Sequence, residues 1–142
     1  MAAHTHDAIQ PGLTRNQSLV MEALAGASSP LSAYAILDQL REAGVRAPLQ
    51  VYRALDKLVE LGLVHRLESL NAFVACRHAG CETHDITAFT ICESCGKVAE
   101  VTDDKLAGQL EEIARRQGFR ATKSTVELRG LCKQCQAAAS VA

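Results

Sequence analysis

The sequence predicts an α/β chain in which an N-terminal winged helix-turn-helix precedes a small α/β domain closed by four cysteines. Three observations carry this. Three helix-period stretches are followed at once by a hairpin pattern; the periodicity breaks around residues 77–85; and a Cys-x-x-Cys pair stands near each end of what remains.

The first helix spans residues 14 to 26. Thr14-Arg15-Asn16-Gln17 is a capping box, and Leu19, Val20, Ala23 and Leu24 continue as an apolar stripe. Gly26 to Pro30 breaks it. Ser32 caps a second helix, with Leu31 and Ile36 as a hydrophobic staple and Ala33, Ile36, Leu37 and Leu40 as its buried face before Gly44. A third helix runs from about Pro48 to Leu61, with Gly62 at its exit. On a helical wheel Val51, Leu55, Leu58 and Val59 share one face, Gln50, Arg53 and Lys57 another, and Tyr52 lies at the apolar edge. One face packs and the other is free to meet a partner.

Leu63 to Glu68 and Ala72 to Ala75 are strand candidates separated by Ser69-Leu70-Asn71, which makes a hairpin and completes the wing. This places a first domain at 1–76, a hinge at 77–85 and a second domain at 86–142. In the second, Ala88 to Ile91 and Lys97 to Val101 read as strands around a knuckle from Cys92 to Gly96. A helix begins at Asp103 or Asp104 and runs to about Gln117, with Leu106, Leu110, Ile113 and Ala114 along one face and Gly118 at its end. A strand from about Phe119 to Leu128 leads to Gly130-Leu131-Cys132-Lys133-Gln134-Cys135. So small a domain has too little core to stand alone comfortably, so a metal staple and a dimer partner are expected.

Composition narrows the function. The chain has 142 residues, a 48% hydrophobic content and a formal net charge of -1, so any DNA contact must come from a local arrangement of charge. No apolar run reaches the length of a membrane span and the N-terminus has no leader pattern, so the expectation is a cytoplasmic protein without membrane partners. Six cysteines in a reducing compartment favour metal ligands or catalytic thiols over structural disulfides.

The pairs Cys92/Cys95 and Cys132/Cys135, separated by 36 residues, suit a four-cysteine zinc site, with Gly96 permitting the tight turn after the first pair. A thioredoxin-like use needs one reactive pair at a helix N-terminus, whereas strand-like segments precede both pairs here; an iron-sulfur cluster accepts the same four ligands. A closed tetrahedron has no open position, which makes the site structural. Further ligand types gather around the hinge: His65, Cys76, His78, Cys81, His84 and, beyond it, Glu100. They read either as isolated surface or core residues or as a second site drawing ligands from both halves.

The segments LTRNQ, LSAYAILDQL, VYRALDKLVELGLVHRLESLNAFVAC, ICESCGKVAE and GLCKQC together resemble the ferric uptake regulator family of metal-dependent repressors, most closely its zinc uptake regulator branch. The resemblance covers about residues 13 to 135. It implies a zinc-responsive transcriptional repressor of zinc uptake genes that binds a palindromic, double-stranded operator as a homodimer when zinc-loaded. Two Zn2+ per chain are implied: a structural ion at Cys92, Cys95, Cys132 and Cys135, and a regulatory ion at His65, Cys76, His84 and Glu100, with His78 and Cys81 as extra candidate ligands. Tyr52 and Arg53 match the family's DNA-contacting residues; Gln50 and Lys57 join them as candidate DNA contacts from the polar face of the wheel, although Gln50 stands where the family usually has Thr. Asp38 and Arg41 match a pair that joins two dimers on one operator.

Other classes compete. A zinc-storage protein would use the helical half for protein contacts, and the exposed Arg53 and Lys57 argue against it. An enzyme is not expected, since no Ser/His/Asp motif, phosphate-binding glycine loop or HExxH pattern occurs. A peroxide sensor of the same fold would need free thiols, four of which zinc would protect.

Overall fold

The computed structural model describes residues 12–77 and 86–139. The chain divides into two compact units, Met1–Glu82 and Thr83–Ala142.

In the first unit, α1 spans Arg15–Ala25 and opens on the expected reciprocal cap. The Gln17 backbone N–H donates to Thr14 Oγ1 at 3.2 Å, and the Thr14 N–H donates to Gln17 Oε1 at 3.0 Å. Thr14→Ala is expected to cost about 1 kcal/mol, seen as a lower denaturant midpoint for helix loss. The second helix, α2, covers Ala33–Leu40 with Ser32 as N-cap, and Arg41–Ala43 continue as a single 3-10 turn. Gly44 ends that turn at φ +96, a left-handed conformation for which a residue without Cβ is suited. The third helix, α3, runs Pro48–Glu60.

The wing is β1, Val64–Leu67, paired antiparallel with β2, Ala72–Ala75, through a turn that holds Asn71 at φ +48. A third edge carries no signal in the sequence: Leu31 bridges Phe73, with N–H to O distances of 3.1 and 2.8 Å. This stitches the loop before α2 to the wing. Val20, Ile36, Val51, Leu55, Leu58 and Val64 lie at the centre of one apolar core, so α3 is fixed by its buried face and its opposite face stays in solvent.

The second unit is a three-stranded sheet of order β4-β3-β5, with β3 at Ile86–Cys92, β4 at Val98–Val101 and β5 at Ser124–Gly130. The pairing β3/β4 is antiparallel and β3/β5 parallel. Helix α4, Asp104–Arg116, supplies the crossover and is capped by Asp103, whose carboxylate accepts from the N–H groups of Lys105 and Leu106.

Two expectations need correction. The last strand does not begin near Phe119: Phe119 N–H still donates to Ala114 O, closing the helix exit after Gly118, and parallel register with β3 starts the strand at Ser124 opposite Ile86. A fifth helix, α5 at Lys133–Ala139, follows β5, so the second cysteine pair sits at a helix start. Neither α4 nor β5 has a buried residue, and Ile113, Phe119 and Leu128 are exposed. Among the described residues no helix is long and apolar enough to cross a membrane.

Candidate metal centre and nucleic-acid interface

Cys92 ends β3, Cys95 follows in a tight turn, and Cys132 and Cys135 flank the start of α5. The chain is turned at Gly96, whose φ of +77 is disfavoured for residues with a Cβ. All four sulfurs lie within 4.8 Å of one another, and Cys95 Sγ and Cys132 Sγ are 3.8 Å apart. A tetrahedron with Zn–S legs of about 2.3 Å has edges of about 3.8 Å, so the donors fit zinc in type, number and spacing.

Their protonation supports that fit. Cys92 Sγ accepts the backbone N–H groups of Cys132 at 3.4 Å and Cys95 at 3.5 Å, which hold its thiol down to about 6. Cys132 is also lowered, chiefly by the backbone N–H of Cys135. Cys135 shows the opposite effect. The Ser94 side chain lowers it, but the neighbouring sulfurs of Cys132 and Cys92, together with burial, outweigh that and push it up to about 12. Crowded thiols resist a second ionisation, and a dication at their centre removes that resistance with release of protons. Ser94 does not stand out in the sequence, where a serine between two ligands looks like spacer.

The other predicted ligands divide by location. His65, on β1, is buried, Cys76 follows β2, and their ligand atoms lie within 4.8 Å of each other. The backbone holds Cys76 there through its N–H to Leu63 O at 2.9 Å. Cys76 is disulfide-bonded in this structure, and a disulfide sulfur is not a thiolate ligand, so a metal here requires the reduced form. Glu100 is a half-buried residue of β4, opposite Phe89. His78, Cys81 and His84 lie outside the described residues.

The solvent face of α3 carries Gln50, Tyr52, Arg53 and Lys57, all exposed. Lys57 pairs weakly with Glu60 at 3.4 Å, with both side chains exposed. Leu49, 57% exposed beside Gln50, is an apolar addition to this face that the helical wheel does not single out. Asp38 and Arg41 pair within α2 and its 3-10 extension at 3.2 Å, with both side chains in solvent.

Residues 13–129 match the profile of the ferric uptake regulator family. The zinc uptake regulation protein of Escherichia coli (strain K12) is 38% identical over 124 residues, covering 87% of this chain and 72% of that protein. The crystal structure of holo XcZur superposes with a TM-score of 0.79 at 43% identity, covering 88% of this chain and 86% of that one. A zinc uptake regulator complexed with zinc and DNA superposes with a TM-score of 0.81 at 34% identity, covering 89% and 85%.

Proposed function

Because this chain belongs to the ferric uptake regulator family, on its zinc uptake regulator branch, we propose that it represses zinc uptake genes by binding their operators as a zinc-loaded homodimer. The family consists of transcriptional regulators rather than enzymes. The observation that carries the proposal is the face of α3: four polar side chains suited to bases and phosphates stand in solvent on a helix whose other side is locked into the core. The relative complexed with zinc and DNA supports the same use.

Dimerisation is supported by the second unit alone. β5 is a sheet edge, and Leu128 within it is 61% exposed, while α4 leaves Ile113 uncovered. Two copies place two α3 helices on successive turns of a palindrome, which offsets the weak attraction of a nearly neutral chain. Asp38 and Arg41, paired within one chain, are exposed enough to exchange partners with a second dimer.

The regulatory ion takes His65, Cys76, His84 and Glu100. A mixed nitrogen, sulfur and oxygen set suits tetrahedral zinc and disfavours magnesium or calcium. His78 and Cys81 are further donors near it in sequence. When bound, the ion supplies a fixed attachment between donors from the two halves of the sequence. Cys76 must first be a free thiol, so zinc response is expected only in reduced protein.

The test is selection of duplexes from a random library by reduced protein with and without zinc, at moderate salt. A palindromic preference that appears only with zinc is expected; zinc-loaded protein without sequence preference overturns the proposal and favours a zinc-handling role. Within that assay, Arg53→Ala is expected to reduce base discrimination by roughly 1 to 3 kcal/mol, as for loss of a bidentate guanine contact. Equal losses on operator and unrelated DNA would make Arg53 a phosphate contact.

A further inference from the structure

Gln50 lies on the first turn of α3, where backbone N–H groups have no intrahelical acceptors. Ala47, the N-cap residue, has no side-chain acceptor to offer them. Gln50 supplies an acceptor at this helix start instead. Its Oε1 accepts from the N–H of Arg46 at 3.2 Å and from the N–H of Ala47 at 3.3 Å. Both partners are donors only, so the amide oxygen must face them and the amide nitrogen must face away. Two N–H groups occupy both oxygen lone pairs. What remains for a partner outside the chain is an NH2 group with two donors, on a residue exposed at the end of the helix expected to enter the groove.

We propose that Gln50 is a specificity-determining residue that reads its base pair as a donor only. The inference rests on the reading of α3 as the operator-reading helix. A free glutamine favours adenine, donating to N7 while accepting from the N6 amino group. Here the accepting half is already committed, so adenine's amino group meets no acceptor. Guanine offers two acceptors, O6 and N7, and thymine offers O4, whereas adenine sets its single acceptor, N7, beside an amino group that finds no partner. One position in each half-site is therefore selected for guanine or thymine, with adenine and cytosine disfavoured.

The substitution that isolates the idea is Gln50→Glu. One carboxylate oxygen can still cap Arg46 and Ala47, while the other turns outward as an acceptor in place of the donor. Gln50→Ala, which loses both functions, identifies the position by flattening its preference. The experiment is duplex selection from a random library by reduced, zinc-loaded, full-length wild type and both variants, with melting temperatures measured in parallel. Wild type is expected to favour guanine or thymine by about tenfold at one half-site position. Gln50→Glu is expected to switch that position to cytosine, whose N4 amino group donates, and to melt above Gln50→Ala. Adenine at that position in wild type, or a Gln50→Glu preference unchanged at every position, overturns the proposal. Absence of any selected sequence with wild type would instead refute the reading of α3 itself, and this inference with it.

Discussion

Cys132→Ser is expected to abolish ordered structure in the second unit and, with it, the dimer. Zinc bound at four thiolates contributes apparent free energy on the order of 10 to 16 kcal/mol in small zinc domains, more than a domain of this size can recover from its own core. Here the dependence is acute because the described residues of α4 and β5 bury nothing fully. Cys132 Sγ faces Cys95 Sγ at 3.8 Å and lies within 4.8 Å of the other cluster sulfurs, so its loss removes one corner of the tetrahedron. The check is zinc content together with sedimentation of the purified variant. Less than one tightly held zinc per chain and a shift to monomer are expected, with the α1 to α3 helical signal retained. A fully dimeric variant would show that the staple is dispensable.

Glu100→Ala is expected to separate folding from response. Glu100 sits on β4 and is not one of the four clustered cysteines' partners, and its half-buried carboxylate is the hard donor of the proposed regulatory set. Its loss should leave the structural ion and the dimer intact while zinc no longer raises operator affinity. Moving a regulator from about 1% to 99% competent requires roughly 5.5 kcal/mol of differential ligand binding. Loss of one ligand in four can remove most of such a preference. Operator titrations at buffered free zinc measure it: a flat response with unchanged zinc in the four-cysteine site is expected, and a wild-type response would exclude Glu100 from the site.

Where local rules act, the sequence is legible. Thr14 and Gln17 are three residues apart and announce their reciprocal cap; the wheel of α3 separates Val51, Leu55 and Leu58 from Arg53 and Lys57 because burial follows the helical period. The four cysteines are equally plain, since two Cys-x-x-Cys pairs have few other uses. What escapes is set by distant partners. The start of β5 is decided by register against β3 some 38 positions earlier, Ser124 opposite Ile86, and nothing within residues 119–123 marks it. The bridge from Leu31 to Phe73 is likewise non-local. Helix α5 hides behind a metal motif that draws attention to its cysteines rather than to the alanines after them. Gln50 reads as a base contact because the helical wheel sets it on the polar face with Arg53 and Lys57, and only the hydrogen bonds to Arg46 and Ala47 show that half of its amide is spent.

In the proposed switch, occupancy of a second, exchangeable zinc site controls operator binding while the four-cysteine ion stays in place. The most direct measurement follows operator affinity and zinc stoichiometry together as free zinc is raised over reduced wild-type protein that already holds one ion per chain. Weak binding at one zinc per chain and a steep rise as the second is taken up are expected. Full operator affinity with a lone ion in the four-cysteine site would contradict it.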